Sequence, residues 1–247
     1  KLMAQIEAHA KDYAIDIMKN QRAKAIRKAE LIEVELENGA ILKTKTAILS
    51  VGANWRNVNV PGEEEFRTKG VTNCPHCDGP LFTGKDVAVI GGGNSGIEAA
   101  LDLAGLAKHV YVLEFLPELR ADQVLQDRAN ALENITIIKN AATTEITGTD
   151  EVNGISYTDR ETNEDHHIAL QGVFVQIGLV PNTAWLKDSI VELNPRGEIT
   201  VDHHGMTNVE GIFAAGDCTD SAYKQIIISM GSGATAALGA FDYLIRQ

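Results

Sequence analysis

The chain has 247 residues, 44% hydrophobic and 23% charged, which excludes a disordered, collagenous or disulfide-framework protein and leaves room for one large domain or two small ones. Lysine and arginine total 22 against 34 aspartates and glutamates, a net charge of -12 that argues against nucleic acid as a partner. Three cysteines cannot staple a secreted scaffold, so the cytoplasm is expected.

In chain order, Leu2, Ile6, Ala10, Tyr13 and Ile17 recur every three or four residues and predict an amphipathic helix with Lys1, Glu7 and Lys11 facing water. A helix already under way at Lys1, without a cap, suggests a piece of a longer protein. Leu31 to Leu36 alternates and turns at Asn38-Gly39 into Ile41, a half-exposed hairpin, before the apolar run Ala47 to Val51. Val60-Pro61-Gly62 predicts a linker. Val87 to Ile90, apolar without alternation, predicts a parallel strand buried on both faces, which Gly91 to Gly93 then break. A helix over 94–106, a strand over 110–114, a helix over 121–132 and a strand over 135–138 complete a βαβαβ series. Residues 143–170 predict a β-meander with turns at Gly148 and Asn153-Gly154. Residues 173–177 return to a buried strand, and 178–182 form a second linker. Strands are expected over 199–201 and 211–215, then a long helix over 223–245. Its uncharged run, Gln225 to Phe241, is short of the ~20 apolar residues of a membrane span and predicts a core helix, so no membrane is expected.

Gly91-Gly92-Gly93-Asn94-Ser95-Gly96 satisfies G-x-G-x-x-G between a buried strand and the first turn of a helix, the context that makes the motif a dinucleotide fingerprint. Gly91 allows the tight turn, Gly93 lets a pyrophosphate approach the backbone, and Gly96 lets helix and strand pack closely. The helix N-terminus around Asn94 and Ser95 attracts the negative charge. Glu114 ends the second strand eighteen residues past Gly96, near the ~20-residue spacing at which an acid receives the adenosine ribose hydroxyls. That carboxylate would repel a 2′-phosphate, and no arginine follows before Arg120, so NADH is expected over NADPH. A solvated strand-end glutamate is the alternative.

Cys74-Pro75-His76-Cys77 spaces two thiols so that they can close a small disulfide ring, and a vicinal pair can lower the pKa of one partner. Redox chemistry is the sharper reading. Zinc remains open, with His76, His166-His167, His203-His204 and Cys218 as further ligands, although no second CxxC is present and no metal is expected. Asp78 follows the pair and could manage protons as dithiol and disulfide interconvert, or simply open a turn before Gly79-Pro80. Gly211 to Asp217 is a short apolar strand closing in Gly216 and an acid, a geometry that can offer a carboxylate to a polyol chain. Lys224, Gln225 and Ile226 open the final helix, where free N–H groups could meet a ring oxygen or a phosphate. Cys218 fits a packing role better than a third redox thiol.

With those residues in hand, the chain resembles the thioredoxin reductase family of low-molecular-weight flavoprotein disulfide reductases, in its peroxide-reductase branch. The carriers are Ser50-Val-Gly52-Ala53 with Arg56, Val60-Pro-Gly-Glu63, Cys74-Pro-His-Cys-Asp-Gly-Pro80, Val89 to Gly96, Gln176-Ile-Gly178-Leu-Val-Pro-Asn-Thr183 and Gly211 to Asp217. The resemblance implies an α/β fold of two Rossmann-like domains, an NAD domain inserted into an FAD domain that is truncated at its N-terminus. Residues 1–60 and 183–247 would be the two parts of the FAD domain, and 61–182 the NAD domain with the CxxC. The two crossings would form a hinge about which one domain rotates, so that nicotinamide and disulfide alternate at the flavin. By the same resemblance Cys77 would face the flavin, Cys74 would exchange with the next disulfide, and Asp78 would handle the proton. Asp217 would hold the ribityl chain, Gln225 and Ile226 would meet the isoalloxazine, and Gly52, Gly178, Gly216 and Lys224 would complete the cofactor contacts. FAD and NADH are the implied cofactors, a homodimer the implied assembly, and a peroxiredoxin subunit the implied acceptor, reached through a thioredoxin-like domain that this sequence does not contain. The alternatives are an NAD(P)H thioredoxin reductase and a non-catalytic NAD-binding fragment.

Overall fold

The computed structural model describes residues 2–247, so the positions expected of Lys1 and of the Leu2 side chain lie outside what it describes. The chain begins with α1 (Leu2–Lys11), β1 (Ala23–Lys28), β2 (Ile32–Leu36), β3 (Ile41–Thr44), β4 (Ala47–Leu49) and β5 (Ala53–Trp55). It continues through β6 (Val71–Thr72), α2 (Pro75–Asp78), β7 (Asp86–Ile90), α3 (Asn94–Ala104), β8 (His109–Leu113), α4 (Gln123–Asn130) and β9 (Ile135–Ile138). There follow β10 (Ala141–Gly148), β11 (Val152–Asp159), β12 (Asp165–Ala169), β13 (Gly172–Val175), β14 (Leu179–Pro181), β15 (Ile212–Ala214) and α5 (Ile226–Ile245). The contacts divide these elements into an inserted unit, Asn54–Val180, and a split unit made of the chain up to Ala53 together with Pro181–Gln247.

In the inserted unit five parallel strands lie in the order β6-β13-β7-β8-β9. The alternation of side chains along a strand explains why its middle is apolar throughout. Val87 and Val89 of β7 and Val110 and Val112 of β8 point into one cluster with Ile97, Ala100 and Leu103 of α3. Ala88, Ile90 and Leu113 point into a second cluster with Ile146, Ile155 and Tyr157 of the antiparallel β10-β11-β12 meander. Each strand is therefore sandwiched between a helical layer and a meander layer, and each such Val or Ile contributes about 1.5–3 kcal/mol on burial.

The split unit contains the antiparallel β1-β2-β3 sheet and the parallel pair β4-β15, in register Ile48↔Phe213. Ile26, Ile32, Leu49, Leu186, Ile199, Ile212 and Cys218 form its main core. Phe213 packs instead with Ala236 and Ala240 of α5.

Several expectations are corrected. α1 ends at Lys11, leaving Tyr13 and Ile17 outside it, since Ile15-Asp16-Ile17 propagates a helix poorly. Asn153-Gly154 is no turn. Gly154 lies inside β11 opposite Ala169, and a Cβ there would stand 2.5 Å from the His167 ring, so the glycine admits a cross-strand side chain. Residues 199–201 form only isolated bridges, Ile199 with Leu193 and with Thr219. The expected core helix α5 buries Ala236 and Ala240 while Ile227 is 72% exposed, because it meets a sheet of two strands with one small-residue face.

Candidate functional site

The glycine bend stands where β7 ends and α3 begins. Gly91 has φ +119°, a conformation that favours glycine, and a Cβ on it would lie 2.5 Å from the Gln176 carbonyl oxygen. A Cβ on Gly96 would stand 1.8 Å from the Gly91 carbonyl oxygen, so α3 packs on the strand at a distance only glycine permits. A Cβ on Gly93 would meet nothing within 4 Å. Gly93 is the cap position of α3, whose free first-turn amides can receive a pyrophosphate, and Ser95 is exposed there. Asn94 is engaged elsewhere: its Oδ1 accepts from the Asp122 N–H at 2.7 Å and its Nδ2 donates to Asp122 Oδ2 at 3.1 Å, tying α3 to the start of α4.

Glu114 is only 8% exposed. Its Oε2 accepts the Gly92 N–H at 2.5 Å and its Oε1 the Leu116 N–H at 2.8 Å. The carboxylate thus anchors the bend, and its remaining lone pairs are open to hydroxyl donors. A cavity of about 290 Å³ adjoins it, walled among others by Gly91, Glu114, Phe115, Ala142, Thr143 and Ile177. Thr143 Oγ1 is buried without a hydrogen-bond partner. An orphaned hydroxyl, an anchored carboxylate and a bend shaped by missing Cβ atoms together suit a dinucleotide.

Cys74 and Cys77 are joined in a disulfide with their Cα atoms 5.2 Å apart. Cys74 caps α2, its Sγ accepting from the Cys77 N–H at 3.2 Å, and it is half-buried while Cys77 is exposed. Asp78, also half-buried, accepts a short hydrogen bond from the Thr72 hydroxyl. The pair is footed on the sheet: Asn73 Nδ2 donates to the Val175 carbonyl at 3.1 Å, and Gln176 Nε2 donates to the Asn73 carbonyl at 2.8 Å. His76 Nδ1 lies 3.3 Å from Asp102 Oδ2 on α3.

In the split unit Gly216 donates its N–H to Ser232 Oγ at 3.0 Å, and Asp217 Oδ1 accepts from Ser229 Oγ at 2.9 Å, so both residues sit against the first turns of α5. Gln225 is the cap position of that helix without a side-chain capping bond, and Ile226 is 64% exposed. Lys224 is committed, with Nζ 2.9 Å from Glu198 Oε1 and donating to the Thr219 carbonyl. Burial pushes the Glu198 carboxyl up, but the Asn194 amide and the Lys224 ammonium outweigh it and leave the group below the usual range. The Gly52 carbonyl accepts from Asn182, and the Gly178 carbonyl accepts from Arg56. Cys218 is fully buried, and burial pushes its thiol up, as suits packing.

Sequence reasoning missed four participants in the inserted unit. Gly92 must be glycine because a Cβ would stand 2.7 Å from Glu114 Oε2. Thr143 and Phe115 come to the same cavity wall from distant positions, Arg160 lies over the Phe115 ring, and no local pattern announces them. Among the described residues no group of three or more His, Cys, Asp or Glu is placed to hold a metal, and no helix is long and apolar enough to cross a membrane.

A family model described as pyridine nucleotide-disulphide oxidoreductase matches residues 1–233. A relative from Ferdinandcohnia aciditolerans named NADH dehydrogenase is 73% identical over the whole chain, which covers 47% of that protein. One from Staphylococcus aureus, named as a subunit of alkyl hydroperoxide reductase, is 61% identical over 99% of the chain, which covers 48% of that protein. The chain therefore spans about half the length of the curated relatives it matches. Among solved structures, the thioredoxin reductase of Streptococcus pyogenes superposes with a TM-score of 0.91 at 34% identity, over 99% of this chain and 79% of the other. The two units accordingly have the α/β architecture of thioredoxin reductase-type FAD/NAD(P)-binding Rossmann domains.

Proposed function

The chain belongs to the pyridine nucleotide-disulphide oxidoreductase family, and on that footing we propose that it is the part of an NADH-dependent, FAD-containing disulfide reductase that holds the nicotinamide dinucleotide and the redox sulfur pair. The observation that carries this reading is the Cys74–Cys77 disulfide, set on a short exposed helix directly ahead of the glycine bend in the same unit. In net terms NADH and a proton become NAD+ as the S–S bond opens to two thiols: the hydride brings two electrons, and the sulfurs take up two protons. Bound FAD supplies the two-electron relay between nicotinamide and sulfur.

The remaining work falls to the chain's own residues. Gly91, Gly93 and Gly96 seat the pyrophosphate at the α3 N-terminus, with Ser95 at its edge and Asn94 bracing the turn. Glu114 holds the bend and orients the ribose hydroxyls. Cys77 is the sulfur that meets the relay and Cys74 the one that exchanges onward, while Asp78, held by Thr72, is placed to pass protons as dithiol and disulfide interconvert. Asp217, Gln225 and Ile226 belong to the FAD contacts, and Gly52, Gly178, Gly216 and Lys224 complete the cofactor contacts, with Lys224 tied to Glu198. Residues 1–60 and 183–247 are assigned to the FAD domain and 61–182 to the NAD domain, with the crossings acting as a hinge.

The onward acceptor is proposed to be a peroxiredoxin subunit, reached through a thioredoxin-like domain of a longer, homodimeric protein. The relatives named for alkyl hydroperoxide reductase support that choice. The solved thioredoxin reductases favour a second reading, with a separate thioredoxin as acceptor. Anaerobic addition of NADH to the FAD-loaded chain is expected to yield two new thiols per NADH oxidised. Oxidation without new thiols would remove the sulfur pair from the pathway, and a preference for NADPH would favour the second reading.

A further inference from the structure

Thr72 ends β6, the edge strand of the parallel sheet, just ahead of the sulfur pair, and its backbone is fixed in register opposite Phe174. Its half-buried hydroxyl joins the two ends of the redox segment. Oγ1 accepts the Cys74 N–H at 3.3 Å and donates its proton to Asp78 Oδ2. The Asp78 N–H in turn donates to the Cys74 carbonyl at 3.0 Å. The acid is thereby tied twice, through its backbone to Cys74 and through one carboxyl oxygen to the sheet. Thr72, Asn73 and Asp78 also line a cavity of about 230 Å³, room for several waters at about 30 Å³ each, so the carboxyl borders space that solvent can enter.

A threonine hydroxyl has one proton to give. Given to Asp78 Oδ2, it makes that oxygen an acceptor, and a proton that passes through the carboxyl then rides on Oδ1. We propose that Thr72 is a positioning residue for the sulfur chemistry: its hydroxyl holds Asp78 Oδ2 as the fixed acceptor and leaves Oδ1 to exchange the proton with the sulfur pair. The assignment rests on the disulfide-reductase reading above and adds to it the group that sets the geometry of its acid. Opening the S–S bond takes up two electrons and two protons, and NADH with one proton from solvent supplies them in net terms. The solvent proton reaches the sulfurs by way of Oδ1, while Thr72 gains and loses none. A carboxyl without this tie would turn either oxygen toward the sulfurs and lose the fixed approach on which fast proton transfer depends.

The variants are Thr72→Val, which deletes the hydroxyl and suits a strand, Thr72→Ser, which restores it, Asp78→Asn, and Thr72→Val combined with Asp78→Asn. Each is followed in the FAD-loaded full chain by thiol formation on anaerobic addition of NADH, and separately by exchange of the disulfide with dithiothreitol. Thr72→Val is expected to slow both about tenfold, with Thr72→Ser within about twofold of the parent and reduction of bound FAD by NADH unaltered. Because Thr72 acts through Asp78, the double variant is expected to be no slower than Asp78→Asn. A threonine that merely satisfies the Cys74 amide would multiply its effect onto that of Asp78→Asn, and this outcome overturns the proposal. So does Thr72→Ser as slow as Thr72→Val. Slow Asp78→Asn beside parent-like Thr72→Val overturns the part given to Thr72 alone, whereas parent-like Asp78→Asn overturns the role of the acid as well. Failure of the parent to gain thiols from NADH overturns the disulfide-reductase reading and this proposal with it.

Discussion

The Gly92 amide donates to the Glu114 carboxylate at 2.5 Å, and a Cβ on residue 92 would stand 2.7 Å from the same oxygen. The acid therefore serves the loop before it serves any nucleotide. Hydrogen bonds to charged groups contribute about 1.5–3 kcal/mol each. Glu114→Ala should lower the unfolding midpoint, weaken NADH about tenfold or more and narrow the preference for NADH over NADPH. Calorimetric titration of both cofactors together with thermal unfolding checks this, and an unchanged cofactor ratio would refute the ribose role.

Gly91→Ala places a side chain at φ +119° against the Gln176 carbonyl. Strain of this kind costs about 1–3 kcal/mol. The bend is expected to shift, with loss of measurable ADP-ribose binding in a chain that still unfolds cooperatively. Binding within threefold of the parent would show that the bend tolerates the change.

Cys77→Ser should leave reduction of bound FAD by NADH intact and abolish the appearance of thiols, as followed by anaerobic absorbance and thiol titration. Asp78→Asn removes a proton carrier held by Thr72. It should slow dithiol formation about a hundredfold, the low end of general acid–base contributions, with the nicotinamide step unaltered. Persistent disulfide reduction in Cys77→Ser would contradict the assignment.

Glu198 is held below the usual carboxylate range: burial acts against its charge, and the Asn194 hydrogen bond and the Lys224 ammonium outweigh that effect. A depressed folded-state value means stability that is present above the ordinary carboxylate range and is lost as pH falls through the lowered folded value. Glu198→Gln should therefore cost about 1–2 kcal/mol near neutrality, leaving the Lys224 charge partly buried, and less at pH 3. Urea unfolding at the two pH values measures the difference; an equal cost at both would rule out the ionic contribution.

The β7-to-α3 bend was legible because three constraints, a doubly buried strand, glycines at fixed offsets and a helical pattern, coincide over fewer than twenty residues. The sulfur pair was legible from its spacing as a redox candidate, with zinc left open there, and the disulfide between Cys74 and Cys77 decides for redox. Phe115, Thr143 and Arg160 were not, since their meeting depends on how β10 and β11 lie along β8, a tertiary register that no local period encodes. β1 escaped notice because Lys24, Arg27 and Lys28 dilute its alternation and only Ile26 is buried. Gly154 misled in the opposite direction: a glycine that admits the His167 ring looks, in one dimension, like a turn.

Gln176 directly follows strand β13, the neighbour of the central strand β7. It gives its amide to the residue preceding Cys74, its backbone N–H to Ile90, and its carbonyl oxygen to the space that a side chain at Gly91 would claim. One buried glutamine is thus a shared abutment, like the pier between two spans of a bridge. The segment carrying the sulfurs and the loop that bends beneath a nucleotide inherit their stiffness from the same few atoms, and neither can settle without loading the other.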